Sequence, residues 1–183
     1  VVPTDNGIYD LPGNEAATSQ NNNTATLNDK LAPYLTASSL AADNSYIDAT
    51  YSEGFYSTNG GSGAIDKSDI NFIFAQNNGS ATAAVISSLK QQDNTSESSA
   101  SALQAGATTV RAFLTITGTP SGVETVSWST VNDASIFDAV GNATPSAWTA
   151  TPLKLNDKLP PTMTIAATDG SNAVSDGATT NDA

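Results

Sequence analysis

The stretch SYIDATYSEG, residues 45–54, carries the clearest structural signal in this sequence. Its alternation places Ile47, Ala49 and Tyr51 on one face of an extended chain. β-Branched and aromatic side chains suit such a half-buried, pleated face. The stretch therefore predicts a β-strand with one face turned toward a core.

Six further stretches show strand signals of the same kind, and clusters such as TNGGSG and GTPSG, which are typical of turns, separate them. They are residues 31–40, 69–76, 82–91, 108–118, 122–131 and 146–155. Only residues 98–106 have mild helical character, enough for about one turn. Seven short strands predict an all-β fold, an immunoglobulin-like β-sandwich of antiparallel strands.

The alternation within these strands also predicts which side chains enter the core. The inward-facing residues are expected to be Ile70, Phe72 and Phe74, then Val85, Ser87 and Leu89, then Val110, Ala112, Leu114 and Ile116. Trp128 and Trp148 are expected to lie in the core or at its border, because large aromatic side chains bury much apolar surface.

The chain also contains an internal repeat. Residues 136–161 match residues 8–33 without a gap at a constant offset of 128 (136 − 8 and 161 − 33), and both copies keep I-[YF]-D-x-x-G-N and L-N-D-K-L-x-P. A match of this length indicates repeated modules in tandem. The sequence then divides into the C-terminal end of a preceding repeat (1–33), one complete repeat (34–161) and the first strand of a following repeat (162–183).

Composition excludes several classes of function. The chain has no His and no Cys, so Ser-His-Asp and Cys-His catalysis and the usual zinc sites are excluded. The acidic residues lie beside Asn, Gly and Ser in turns rather than in an apolar cleft, so no carboxylate catalysis is predicted and we expect no enzyme. Eighteen acidic against six basic residues give a net charge of −12, which disfavours nucleic acid and attracts cations. No run of 18 apolar residues is present, so no membrane insertion is predicted.

Three segments resemble a known family. YIDATYSEGFYSTNGGSGAIDKSDINFIF, ITGTPSGVETVSW and SIFDAVGNA are similar to the tandem bacterial Ig-like repeats of SwmB type, found in large secreted or cell-surface adhesin and filament proteins. The final PPTMTIAATDGSNAVSDGATTNDA resembles the opening of a related repeat. The resemblance implies an extracellular or cell-surface string of sandwiches, often stiffened by calcium, that serves as a stalk, surface filament or adhesin arm.

Strand order predicts where acidic residues meet. If the strands alternate in direction, the incoming linker, the loop after residues 45–54 and the loop FDAVGN lie at one end of the module. This end would collect oxygen atoms that suit Ca²⁺, which takes six to eight oxygen ligands. The predicted ligands are Asp29, Glu53, Asp66, Asp138 and Asn142.

The repeat extends this hypothesis to the neighbouring modules. Asp10 and Asn14 would form the equivalent site of the preceding repeat, and Asp157 would serve the following junction. An alternative stays open, because D-x-x-G-N is also an ordinary turn in which Asp or Asn binds its own backbone, and N-D-K before proline is also an ordinary solvated linker.

The aromatic residues suggest a second function. Tyr46, Tyr51, Phe55 and Tyr56 cluster around one strand, and aromatic platforms in sandwich modules bind glycans. The alternation nevertheless favours the core for Tyr51, and Phe55 and Tyr56 at the strand end are expected to pack against a neighbouring module.

A third reading is a filament subunit that assembles by strand exchange with other copies. The segments 1–33 and 162–183 would expose unpaired strand edges that can complete another sandwich. The partners expected from the sequence are therefore neighbouring repeats of the same chain, other copies in a filament, or a glycan.

Overall fold

A computed structural model describes residues 4–19 and 25–163, and the backbone of two short strands beyond them. The strands are β1 (Leu35–Leu40), β2 (Tyr46–Phe55), β3 (Ile70–Ala75), β4 (Ala83–Lys90), β5 (Ala107–Thr117), β6 (Thr125–Thr130), β7 (Leu153–Lys154), β8 (Ala167–Asp169) and β9 (Asn172–Val174). A single turn of 3₁₀-helix, Lys67–Asp69, precedes β3.

The first seven strands form two antiparallel sheets, with the orders β1-β2-β5-β4 and β3-β6-β7. This arrangement of four and three strands is that of a constant-type immunoglobulin domain. The predicted all-β, immunoglobulin-like sandwich is therefore confirmed.

The core lies between the two sheets, and the alternation in β2 is confirmed. Ile47, Ala49 and Tyr51 are all buried, and the ring of Tyr51 lies 4.9 Å from that of Phe55. The predicted inward residues of β3 and β5 are buried or pack against this core. Trp128 is buried, and Trp148 is half-buried at the border of the core.

The prediction for β4 was wrong over its first half. Ala84 and Ile86 are buried there, whereas Val85 is 54% exposed. The register shifts between Ile86 and Ser88, so the strand has a β-bulge at this point. The extra residue reverses the alternation, and Leu89 packs against the core as predicted.

Two other local features differ from expectation. The predicted strand 146–155 contains only β7, because Pro152 has no N–H to give to a ladder and the preceding segment touches β6 through a single bridge at Thr149. The predicted helical turn lies earlier than expected, at Ser96 and Ala100, where the amide of Ala100 donates to the carbonyl of Ser96 at 2.9 Å.

Beyond Pro161, the described backbone forms a small hairpin in which β8 pairs with β9. Its assignment to a following repeat remains a prediction.

Candidate metal centre

A tight turn after β6 begins the candidate site. Phe137 pairs with Tyr56, just past the end of β2, through two backbone hydrogen bonds of 2.8 and 2.9 Å. This pairing carries the next residue, Asp138, to the same end of the sandwich as Glu53. The turn then closes through Gly141, whose φ of +95° favours glycine.

The carboxylate of Asp138 organises this turn. It is 1% exposed and accepts hydrogen bonds from the amides of Val140 (2.9 Å) and Asn142 (2.7 Å), and from the side-chain amide of Asn142 (2.6 Å). Burial disfavours its charged form, but these donors outweigh burial and hold the pKa of Asp138 below its usual value. Asp138 is therefore a fixed, ionised carboxylate.

The same turn holds the incoming linker. The side-chain amide of Asn142 also donates to the carbonyls of Asp29 (3.2 Å) and Leu31 (3.4 Å). Nearby, the buried hydroxyl of Thr144 donates to the carbonyl of Pro33 at 2.7 Å. These bonds attach the linker backbone to the module and bring Asp29 to the turn.

Three carboxylates consequently converge. One oxygen of each of Asp29, Glu53 and Asp138 lies within 4.8 Å of the other two. Desolvation, followed by the charges of Asp29 and Asp138, raises the pKa of Glu53 above its usual value. We name this group of three side chains the junction triad.

The separation of these oxygens is suited to one hard cation. Ca²⁺ binds oxygen at about 2.3–2.6 Å, so two ligand atoms of one ion lie at most about 5 Å apart. The three carboxylates could supply three ligands and three negative charges, and the exposure of Asp29 leaves room for water. The geometry and charge can therefore hold a divalent metal ion.

Asp66 lies apart from this group. It caps the 3₁₀-helix by accepting from the amide (2.7 Å) and hydroxyl (2.6 Å) of Ser68, and these bonds lower its pKa. Its Oδ1 is therefore used locally. Of the five residues expected to surround an ion, the structure brings together Asp29, Glu53, Asp138 and, through its hydrogen bonds, Asn142.

The N-terminal segment contains a second copy of the turn. Asp10 accepts from the amide (2.7 Å) and side chain (2.9 Å) of Asn14, as Asp138 does from Asn142. Gly13 has a φ of +94°, matching the glycine of the later turn. The sequence repeat is thus a repeat of local structure.

The linkers repeat as well. The carboxylate of Asp29 accepts from the amide of Leu31 at 2.9 Å, and that of Asp157 accepts from the amide of Leu159 at 2.8 Å. The linker therefore makes the same hydrogen-bonded turn before and after the β1–β7 sandwich.

Equivalent residues in the two copies differ in burial. Ile136 and Leu155 are buried in the sandwich at 0% and 1% exposure, whereas their equivalents Ile8 and Leu27 are 57% and 93% exposed. The two side chains that complete the core in the later copy are therefore exposed in the earlier copy.

A buried carboxylate that was not predicted from the sequence lies at the opposite end of the sandwich. Glu124 is fully buried and accepts from the amides of Ala81 (2.8 Å), Ser121 (3.0 Å) and Val123 (3.2 Å). Burial opposes ionisation, but the donors prevail and lower the pKa of Glu124 to about 2. A side chain at Gly79 would overlap the Glu124 carboxylate, so only glycine fits there. Glu124 thus joins two turns and has a structural role.

Within the described residues, the aromatic cluster predicted around β2 is no single exposed platform, because Tyr46 and Tyr56 are half-buried and the other two members are buried. Tyr51, Phe55 and Trp128 are buried in the core, so the expectation that Phe55 packs against a neighbouring module was wrong. Trp148 is half-buried and, together with Tyr34, lines a groove beside the incoming linker.

Within the part of the chain that the structure describes, no helix has the length and apolar character needed to cross a membrane. Comparison of the chain with protein-family models, with curated proteins and with solved structures finds no match.

Proposed function

We propose that this chain is a structural and interaction module of a long extracellular repeat protein, a stalk, surface filament or adhesin arm, with calcium bound at the junctions between modules. The observation that carries the proposal is the junction triad, because it joins a carboxylate of the linker, Asp29, to two carboxylates of the following module, Glu53 and Asp138. A cation bound there would hold the linker to the module.

Electrostatics supports a cation at the triad. Three carboxylates within 4.8 Å repel one another when charged, and the raised pKa of Glu53 reflects desolvation together with that repulsion. A divalent ion would replace this repulsion with attraction. Carboxylate oxygens in a partly exposed setting favour Ca²⁺, a hard cation that accepts flexible geometry and water ligands.

The repeat supports the tandem array. The exposed Ile8 and Leu27 correspond to side chains that are buried in the complete module, which is the pattern expected for the tail of a preceding module. The resemblance to SwmB-type repeats leads to the same role. A structural role is also favoured over glycan binding because Tyr51 and Phe55, two of the four aromatic side chains predicted to bind sugar, are buried in the core.

Calcium titration calorimetry of the whole chain tests this proposal. We expect binding to the unaltered chain and a loss of at least about tenfold in affinity for Asp138→Asn, because a charged oxygen ligand is removed. Asp10→Asn is the matched control: Asp10 makes the same two hydrogen bonds to the asparagine of its turn, and it is not part of the triad. The control should bind calcium as the unaltered chain does.

Two results would contradict the proposal. The first is the absence of calcium binding to the unaltered chain at millimolar concentration. The second is an equal loss of affinity in Asp10→Asn and Asp138→Asn, which would show that binding follows total charge rather than the triad.

A further inference from the structure

The complete module also holds its outgoing linker through hydrogen bonds. Asn44, in the β1–β2 turn, accepts from the amide of Asn156 at 2.8 Å and donates from its own side chain to the carbonyl of Asn156 at 2.8 Å. Two residues later, the amide of Lys158 donates to the carbonyl of Pro120 at 2.8 Å. Asn44 is only 3% exposed, so its hydrogen bonds to Asn156 are part of the folded module.

Different positions of the incoming linker are held by the module that follows it. There the carbonyls of Asp29, Leu31 and Pro33 accept hydrogen bonds from Asn142 and Thr144. The carboxylate of Asp29 also belongs to the junction triad.

The contacts made by the preceding module and those made by the following module can coexist in one linker. The amide of Leu155 also donates to the carbonyl of Glu124 at 2.9 Å, so the module holds positions 155, 156 and 158. At the offset of 128 these correspond to 27, 28 and 30, whereas the following module holds 29, 31 and 33. In hydrogen bonding the two sets share no residue, and they alternate from position 28 to position 31. Both linkers also make the same turn at Asp29 and Asp157, so one conformation can satisfy both sets of contacts.

We propose that the linker L-N-D-K-L-x-P is a strand shared by two consecutive modules, in which different residues form hydrogen bonds to the preceding and to the following module. The partner of the surface around Asn44 and Asn156 is then a second copy of this module in the same chain. This inference rests on the proposed tandem array, but it requires no bound cation. In such a junction only the x position lies in neither set, so little of the linker remains at which the modules can swivel.

The first test measures amide hydrogen exchange by NMR in the full chain, with excess chelator present. We expect the amides of Asn156 and Lys158 to be protected, and Asn44→Gly to accelerate exchange at Asn156 by about tenfold or more while Ala112 in β5 is unchanged. Glycine retains the positive φ of Asn44 and removes only the side chain. Exchange at free-peptide rates at both linker amides of the unaltered chain would overturn the inference.

A matched control accompanies this variant. Asn77 also has a positive φ, and its side-chain amide also donates to a backbone carbonyl, that of Val123 at 3.0 Å, but it does not touch the linker. Asn77→Gly should leave exchange at Asn156 unchanged. Equal acceleration in both variants would overturn the inference, because it would trace the effect to general loosening.

The second test uses the chain with residues 34–161 repeated once more after Pro161. Because the chain has no cysteine, one introduced cysteine in each copy carries a spin label at a known place. In chelator we expect a narrow distribution of label–label distances, broadened by Asn44→Gly in the first copy. A distribution as broad as that of a chain with Gly and Ser at positions 156–159 would overturn the shared strand.

The two proposals can fail separately. A narrow distribution of label–label distances in chelator, with no calcium binding by calorimetry, would support the shared strand and contradict the bound ion. A broad distribution of label–label distances in chelator, with calcium binding lost in Asp138→Asn, would contradict the shared strand and support the bound ion.

Discussion

Replacing Leu155 by alanine is expected to lower the free energy of unfolding by about 3 to 4 kcal/mol, because Leu155 is 1% exposed and its removal leaves a cavity in the core. The same replacement at Leu27 is expected to change it by less than about 0.5 kcal/mol, since that side chain is 93% exposed. Urea unfolding followed by tryptophan fluorescence measures both, because Trp128 is buried.

The two variants change the same residue type in the same local sequence, since both leucines precede N-D-K-L. A difference between them therefore reports the burial of the side chain. Equal losses of stability would contradict the assignment of residues 1–33 to another module, because they would require Leu27 to pack against this one. A neutral Leu155→Ala would contradict the boundary at residue 161.

The second large effect is expected at Glu124. Glu124→Gln replaces a carboxylate oxygen by an N–H₂ group that faces backbone N–H donors, so at least one buried donor loses its partner. We expect the free energy of unfolding at pH 7 to fall by about 2 to 3 kcal/mol. Glu97→Gln is the control, because Glu97 is exposed and accepts only from the hydroxyls of Ser87 and Ser88; its loss should be below about 1 kcal/mol.

The pH dependence of unfolding provides a second readout. The pKa of Glu124 is about 2 in the folded protein and 4.5 ordinarily, so its contribution to stability is present above pH 4.5 and is lost as the pH falls toward 2. Glu124→Gln should lack this part of the acid destabilisation. Parallel pH profiles for Glu124→Gln and the unaltered chain would contradict the role assigned to this carboxylate.

The fold was predictable because its strands are amphipathic. Ile47, Ala49 and Tyr51 alternate with polar residues, and period-2 alternation is a local property of sequence. The bulge in β4 was not predictable, because an added residue is visible only against the partner strand β5. Arg111 shows the same limit. It is buried within β5, yet its partner Asp48 lies 63 residues earlier in the chain.

The candidate site was predictable in part. The repeat singled out Asp138 and Asn142, and alternating strand directions placed Glu53 at the same end as the linker that carries Asp29. The same argument could not exclude Asp66, because its choice of Ser68 as partner depends on the local path of one loop. Glu124 and Asn44 were missed because each acts through contacts with distant segments of the chain.

Thermal unfolding of the unaltered chain and of Glu53→Gln, each in calcium and in excess chelator, tests the central claim most directly. Calcium should raise the melting temperature of the unaltered chain, because an ion bound only by the folded state stabilises it. Glu53→Gln should lose most of this rise. In chelator the variant should melt slightly above the unaltered chain, because the raised pKa of Glu53 means that its charge destabilises the fold at pH 7. Identical melting curves of the unaltered chain in calcium and in chelator would contradict a calcium-stiffened junction.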